Sequence, residues 1–162
     1  MTYFLFFLGA AVGVRIRRMV ANKKPLWRCP KCRHTFVTRN LWHSCTRREP
    51  KALFAKCEPV VWKLYQKYLK MARKCGPVAL SVRTDAIVFR ARVRYAGCKP
   101  RKSYLLCTFS LRQPITHSRI EKLESYGPRW HAHFFRVSRL DELDATVQRW
   151  LRASYRVGTQ DM

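Results

Sequence analysis

The sequence predicts an α+β fold in which a mainly antiparallel four-stranded sheet packs against helices, preceded by a small Cys/His module. Two segments, 59–75 and 138–155, repeat apolar residues at helical spacing. Between them, short segments rich in β-branched and aromatic residues are separated by Gly and Pro turns, which is typical of strands. We assign the Cys/His module to residues 25–47 and the α+β domain to residues 52–158.

Three helices are predicted. The first covers Pro59–Cys75, with proline at its first position and a Gly-Pro pair after its end. Its apolar stripe consists of Val61, Leu64, Tyr65, Tyr68, Met71, Ala72 and Cys75. A short helix is predicted over His117–Ser125. The last helix begins at the capping pair Ser138 and Asp141. Its apolar stripe consists of Leu143, Val147, Trp150, Leu151, Ser154 and Tyr155.

The four predicted strands are Val78–Arg83, Asp85–Ala96, Tyr104–Leu111 and Trp130–Val137. The second strand alternates most clearly, because its apolar residues occupy every other position. Those residues are Ile87, Phe89, Ala91, Val93 and Tyr95. The opposite face of the same strand carries Arg90, Arg92 and Arg94, and a turn over residues 97–101 leads to the third strand.

A metal-binding pattern lies in residues 29–45, where Cys29 and Cys32 are followed, after ten residues, by His43 and Cys45. A Cys-x-x-Cys turn places two thiolates on one side of a tight knuckle, and an extended His-x-Cys segment directs both side chains the same way. The intervening residues can bring the two pairs together, as tetrahedral zinc requires. Four protein ligands fill the coordination sphere, so we expect a structural zinc ion.

Two alternatives stay open for this pattern. The Cys-x-x-Cys pair can be a redox motif beside an unrelated histidine, and His34 can replace His43 as the ligand. We favour His43 because its pairing with the third cysteine repeats the two-ligand geometry. Phe36 and Trp42, with Trp27 outside them, are expected to form a small apolar core. Basic residues that favour the thiolate forms are Arg28, Lys31, Arg33, Arg39 and Arg47.

The formal net charge is +25, from 34 Lys and Arg against 9 Asp and Glu. Such a body repels itself unless anions gather around it, so nucleic acid is the first candidate partner and an anionic membrane the second. The remaining alternative is a solvated basic surface without a partner. The three strand arginines are expected in a row about 6.6 Å apart, close to the spacing of neighbouring phosphates. The predicted anion-binding or nucleic-acid-binding face comprises Arg90, Arg92, Arg94, Lys99, Arg101, Lys102, Tyr126, Arg129 and His133, with Tyr104 and Trp130 as further stacking surfaces.

Enzyme activity is the weaker interpretation, because Asp85 is the only carboxylate between Pro59 and Ile120. The chain has no Gly-rich phosphate loop and no serine nucleophile elbow. His131 and His133 share a strand face but lack a third ligand or a carboxylate nearby, which favours a packing role. We therefore expect a non-enzymatic protein that binds nucleic acid or another polyanion. The alternative is an enzyme or small-ligand binder whose pocket for a phosphorylated or carboxylated metabolite comprises Arg92, Arg94, Lys102, Tyr126, Arg129 and His133.

Residues 1–18 form an apolar and basic leader, in which the apolar run Tyr3–Val14 precedes several arginines. The run is shorter than the roughly 20 residues that span a bilayer, and it lacks the features of a signal peptide. We interpret it as an over-extended gene start, with Met19 as the native first residue. The alternative is a membrane anchor, and a membrane is a partner only if this leader is expressed. Seven cysteines without a regular disulfide framework favour a reducing cytoplasm.

Several separate motifs resemble one known family. They are Trp27-x-Cys29-Pro30-x-Cys32, Phe36, Asn40, His43-x-Cys45, Gly76-Pro77, Phe89-x-x-Arg92-Val93-Arg94-Tyr95-Ala96-Gly97, Pro100-Arg101-Lys102, Tyr126-Gly127-Pro128 and His133-Phe134. In this order, over residues 25–158, they are similar to a bacterial family of domains of unknown function, number 5655 in that naming series. The resemblance implies a bacterial, cytoplasmic protein with a small α+β domain, often preceded by a Cys/His module. It implies no activity.

Overall fold

The structure is a computed structural model that describes residues 23–41, 43, 45–46 and 48–161. The expectations for the leader 1–18, for a start at Met19, and for Trp42 and Arg47 concern residues outside this part. Within it, a two-stranded ribbon precedes a six-stranded antiparallel sheet. No helix in the described part combines the length and the apolar character needed to cross a membrane.

The strands are β1 (Trp27–Arg28), β2 (Thr35–Phe36), β3 (Ala79–Val82), β4 (Ile87–Arg90), β5 (Arg94–Pro100), β6 (Leu105–Leu111), β7 (Lys122–Ser125) and β8 (His131–Val137). The α-helices are α1 (Pro59–Arg73) and α2 (Ala145–Thr159), and short 3-10 helices cover Pro50–Phe54 and Leu140–Glu142. The ribbon pairs β1 with β2, and the sheet has the spatial order β3-β4-β5-β6-β8-β7. The α+β class is confirmed, but the sheet has six strands rather than the predicted four.

One extra strand arises because the predicted strand Asp85–Ala96 is two strands. β4 and β5 pair antiparallel, and Arg90 lies opposite Arg94 across them. In the turn that joins them, two backbone N–H groups donate to the carbonyl of Gly158 in α2, at 2.9 and 3.0 Å. Apolar alternation continues through this turn, so the sequence pattern does not reveal it. The predicted row of three arginines on one strand face is therefore wrong.

The second extra strand replaces the short helix predicted over His117–Ser125. Its last residues form β7, which pairs with β8 from Lys122 opposite Phe134 to Ser125 opposite His131. The predicted turn over 97–101 is also wrong, because β5 continues to Pro100. A glycine reads as a turn signal in the sequence, but here it allows close strand packing. A Cβ on Gly97 would lie 2.7 Å from the carbonyl oxygen of Ile87.

Both α-helices pack on the same face of the sheet and bury their predicted apolar stripes there. Residues of this core include Leu64, Tyr68, Phe89, Cys107, Phe109, Phe135, Val147 and Leu151. α2 begins later than predicted, because the helix is capped by Asp144 and not by Ser138. The carboxylate of Asp144 accepts a hydrogen bond from the backbone N–H of Val147 at 3.0 Å.

The close contact between α2 and β5 requires a glycine. A Cβ on Gly158 would lie 2.7 Å from Cδ1 of Tyr95 and 2.8 Å from its Cβ, which is closer than carbon atoms pack. Tyr95 is fully buried, and its ring meets the ring of Tyr155 edge-on with the centroids 5.3 Å apart. The tyrosine is enclosed on both sides, so it has little room to move away.

We expect Gly158→Ala to lower the free energy of unfolding by about 1–3 kcal/mol through overpacking, although alanine is the better helix former. The measurement is the midpoint and slope of urea unfolding. Ala153→Ser, at an exposed position of the same helix, is the control and should change stability by less than about 0.5 kcal/mol. A Gly158→Ala protein as stable as the wild type would contradict this account of the contact.

Candidate functional site

The four predicted metal ligands lie together, with the ligand atoms of Cys29, Cys32, His43 and Cys45 all within 4.8 Å of one another. The Sγ atoms of Cys29 and Cys45 are 3.8 Å apart, and Nε2 of His43 lies 3.2 Å from Cys32 Sγ and 3.4 Å from Cys45 Sγ. Tetrahedral zinc with its usual bond lengths has sulfur–sulfur edges of about 3.8 Å and sulfur–nitrogen edges of about 3.6 Å. The cluster can hold a metal ion, and its dimensions are compatible with zinc.

A tight turn after β1 shapes the cysteine end of this cluster. Cys29 N donates to the carbonyl of His34 at 2.9 Å, and Arg33 N donates to the carbonyl of Cys29 at 2.9 Å. A hydrogen bond from the backbone N–H of Cys32 lowers the pKa of the Cys29 thiol to about 6, so this ligand ionises readily. Desolvation raises the pKa of Cys45 to about 11, and the charge of a bound metal ion would favour its thiolate.

The two histidines of the module have different environments. Nδ1 of His43 donates to the carbonyl of Leu41 at 2.6 Å, which leaves Nε2 directed at the sulfur atoms. His34 lies outside the cluster, where Nδ1 is 3.3 Å from Cys32 Sγ and Nε2 is 3.3 Å from the carbonyl oxygen of Leu80 in β3. His43 therefore belongs to the cluster that could hold a metal ion, and His34 links the module to the main sheet.

Two of the three arginines predicted on one strand hold the N-terminal part of the described chain against the domain, Arg90 through the module and Arg92 through the segment just before it. Arg90 donates through Nη2 to the carbonyl of Thr35 at 2.6 Å, and its guanidinium lies 4.4 Å from the ring centroid of Phe36. Burial lowers the pKa of Arg90. Arg92 donates through Nη2 to the carbonyl of Lys24 at 2.6 Å. These contacts use both guanidiniums internally, so neither residue joins Arg94 on a common surface.

The face of the main sheet opposite the helices is open over the described residues and carries a groove of about 130 Å³. Its floor consists of the small residues Gly97, Thr108, Ser110 and Ala132. Its sides are formed by the cations Arg83, Arg94 and Lys99 and the aromatic residues Tyr126, Trp130 and Phe134. Basic and aromatic groups thus surround one shallow depression on the open sheet face.

Cations on the open sheet face lie over aromatic rings at three places. The charged groups of Arg94, Lys122 and Arg136 are 5.3, 5.8 and 4.2 Å from the ring centroids of Tyr126, Phe134 and Tyr104, respectively. Such pairs hold cations beside flat apolar surfaces.

Carboxylates neutralise most of these charges but not all of them. Lys122 pairs with Glu124 at 2.6 Å, Arg136 with Glu121 at 3.3 Å, and Lys99 with Asp85 at 2.9 Å. Arg94 has no carboxylate partner among the residues that the structure describes. It is therefore a cation of this face that remains available for an external anion.

The other predicted residues divide between exposed loops and the core. Arg101, Lys102 and Arg129 are exposed in loops. His133 does not reach the open face, because it is fully buried on the inner face, where its ring stacks on Phe109 with the centroids 4.8 Å apart. Its predicted place among the anion-binding residues is wrong.

The sequence interpretation missed Lys122, Phe134 and Arg136 as residues of the open face. Lys122 lies in a segment predicted as a helix, and that prediction does not place it on a sheet face. Phe134 and Arg136 alternate along β8 with the buried Phe135, and this alternation was visible in the sequence. The alternation of β8 beyond its histidines is therefore the sequence signal for this face.

A family profile described as domain of unknown function (DUF5655) matches residues 51–158, which contain α1, the six-stranded sheet and most of α2. This match confirms the family resemblance. No curated protein and no solved structure gives a significant match to the chain.

The environment of His133 makes stability depend on pH. Nε2 accepts a hydrogen bond from the backbone N–H of Ile115 at 3.0 Å, so the folded state holds the neutral ring. Burial lowers the pKa of His133 below its usual value near 6.5. Between these two values the unfolded chain binds a proton that the folded protein does not. The neutral ring therefore makes its full contribution to the free energy of unfolding above pH 6.5. That contribution is lost as the pH falls through the pKa that His133 has in the folded protein.

We expect the free energy of unfolding to decrease between about pH 7.5 and 5.5, and His133→Gln, which keeps an acceptor, to reduce that slope. Urea unfolding at the two pH values, with zinc in excess, measures this change in the free energy of unfolding. His131→Gln, at a half-buried site on the same strand, is the control and should keep the wild-type slope. An unchanged slope in the His133→Gln protein would show that this ring is not the titrating group.

Proposed function

The chain belongs to the domain of unknown function family DUF5655, whose description assigns no activity, and we propose that it is a non-enzymatic protein that binds single-stranded nucleic acid. The binding surface is the open sheet face. The observation that carries this proposal is the combination of cations and aromatic rings on a sheet face that no helix of the described residues covers. Such a face offers single strands two interactions at once, namely stacking for the bases and charge for the phosphates.

Aromatic rings on the open sheet face favour a single strand over a duplex. Stacking a base on an aromatic side chain contributes about 1–3 kcal/mol, and only an unpaired base presents its ring face to a protein. Tyr126 is 56% exposed, and Phe134 and Trp130 are half-buried around the same groove. Phe134 and Arg136 are two residues apart on β8, so they are about 6.8 Å apart, close to the spacing of successive nucleotides.

Arg94 is the residue on which we expect the phosphate contact to depend most. Its guanidinium lies over the ring of Tyr126 and has no carboxylate partner in the described part of the chain. A phosphate bound there would be adjacent to a base stacked on the same tyrosine. The net charge of +25 adds long-range attraction for the strand and accelerates its association.

The groove supports a second candidate, namely a small phosphorylated or carboxylated ligand. Its small-residue floor and flanking Arg94 and Tyr126 suit a planar anionic molecule. The larger pocket predicted for this alternative is reduced, however, because Arg92 is used in an internal contact and His133 lies in the core. Catalysis has correspondingly less support than binding.

Fluorescence anisotropy with labelled 12-nucleotide oligo-dT and oligo-U, over a salt series, tests the first proposal. We expect log affinity to fall linearly with log salt, by about 0.7 for each phosphate contact. Arg94→Glu should weaken binding on the order of 10-fold or more, and Trp130→Ala should remove about 1–3 kcal/mol of stacking. Lys56→Glu, an equal charge change at an exposed position before α1, is the matched control and should have a smaller effect.

Equal losses in the Arg94→Glu and Lys56→Glu proteins would contradict a specific role for the open sheet face. Absence of a salt-dependent affinity would reject nucleic-acid binding altogether. If oligonucleotides fail but a nucleoside monophosphate binds in an Arg94-dependent manner, the groove binds a small ligand instead.

We further propose that the metal bound by the cysteine cluster is zinc and that its role is structural. Three cysteines and one histidine are soft and borderline ligands that suit zinc, and four protein ligands leave no position for a substrate. Among the described residues of the module, the apolar cluster is small: Trp27 and Phe36, whose ring centroids are 6.0 Å apart, pack together with the three cysteines. Metal binding would therefore supply much of its folding energy.

Zinc analysis and cobalt substitution test this site. We expect one zinc per chain, and the cobalt protein should show the intense visible absorption of a tetrahedral thiolate site. His43→Ala should weaken metal binding on the order of 10-fold or more and lower Tm, because a direct ligand is lost. His34→Ala is the matched control and should keep the tetrahedral spectrum. The reverse result would assign the ligand role to His34.

A further inference from the structure

The outer surface of the two helices is basic and carries no carboxylate. Its exposed cations are Lys63, Lys70, Arg73, Arg149, Arg152 and Arg156. Residues 59–84 and 145–160 contain no Asp or Glu. We propose that this surface, the helical layer, binds the sugar–phosphate backbone of double-stranded nucleic acid, as a second binding surface on the side opposite the open sheet face.

Each helix carries its cations at helical spacing. On α1, Lys63 and Lys70 are two turns apart, and on α2, Arg149 and Arg156 are also two turns apart, a separation of about 10.5 Å in each case. The end of α1 contacts α2 directly, because Gln148 donates through Nε2 to the carbonyl of Met71 at 3.1 Å. Packed helices lie about 8–10 Å apart, so the cations at the end of α1 lie near those of α2.

These charges have no internal counterions in the described part of the chain. The ion pairs of that part involve Lys23, Lys99, Arg119, Lys122, Arg136 and Arg139, none of which belongs to the helical layer. The acidic residues before α2 are used locally, since Asp144 pairs with Arg119 at 2.9 Å and Asp141 with Arg139 at 3.1 Å. A polyanion would relieve the resulting repulsion and release its own condensed counterions.

The composition of the helical layer favours duplex nucleic acid over an anionic membrane. Helices that bind membranes insert large apolar side chains beside their basic residues. In the described chain, the exposed large apolar residues are Val37, Leu41, Leu123, Tyr126 and Leu140, and none lies on α1 or α2. The layer therefore offers charge without exposed rings or apolar anchors. Charge alone suits regularly spaced phosphates, which a duplex presents with its bases enclosed.

The test uses the full-length, zinc-loaded protein and a labelled 20-base-pair duplex of mixed sequence, over a salt series. We expect the triple variant Lys70→Glu, Arg73→Glu, Arg152→Glu to lose on the order of 30-fold or more in duplex affinity. Its salt slope should also decrease by about 0.9 for each lost phosphate contact. The glutamine version of the same triple variant should show an intermediate loss, and Tm measurements should show that both proteins are folded.

Comparing the triple variant with Arg94→Glu, each measured on the duplex and on oligo-dT, distinguishes the two surfaces. We expect Arg94→Glu to leave duplex affinity within about 3-fold of the wild type while weakening oligo-dT, and the triple variant to show the opposite preference. If oligo-dT binding is absent but the triple variant loses duplex affinity, only the single-strand proposal fails. A triple variant that binds duplex as the wild type does overturns the helical-layer proposal.

A membrane partner is tested with the same proteins. The comparison uses vesicles of phosphatidylcholine with 30% phosphatidylserine and duplex at an equal phosphate concentration. We expect the vesicles to bind a smaller fraction of the protein than the duplex does. If the protein binds the vesicles more strongly than the duplex, and the triple variant loses that binding, the partner of the helical layer is a membrane. This result would overturn the proposal.

Discussion

Because both α-helices cover the same face of the six-stranded sheet, each residue of a central strand points either into a closed core or onto an open surface. Phe109 and Phe135 meet the helices on the inner side, whereas Thr108 and Phe134 face outward. This one-sided burial gives the molecule two chemically different exteriors. The sheet exterior combines rings with partly neutralised cations, and the helix exterior carries cations alone.

Features defined by neighbouring residues could be predicted from the sequence. The helical stripe of α1 and the ligand pattern around Cys29 depend on short-range spacing, and both lie where the spacing indicates. Features defined by distant contacts could not. The turn after Arg90 is stabilised by the carbonyl of Gly158, and β7 exists because β8 offers it a free edge. Neither partner can be inferred from the periodicity of the segment itself.

The arginines show why a basic composition does not identify a binding surface. Arg90, Arg92 and Arg94 are neighbours in sequence and have the same charge, but only Arg94 faces the open sheet. Arg90 packs on Phe36 of the Cys/His module and Arg92 donates to the carbonyl of Lys24 just before it, so these two residues connect the N-terminal part of the described chain to the domain. A guanidinium that satisfies internal carbonyls contributes little to an external interface, whatever its place in a sequence pattern.

Connections of this kind also bring the two ends of the described chain to one corner of the molecule. Lys23 forms an ion pair with Asp161 and donates to the carbonyl of Thr159 at 2.9 Å. Positions that are distant in sequence but adjacent in space suit circular permutation. In a chain shortened to residues 23–161, a short linker could join the two ends, and new termini could open at the exposed Gly127–Pro128 turn. The corner beside the module would then be free of chain ends, so probes attached there would report on the module alone.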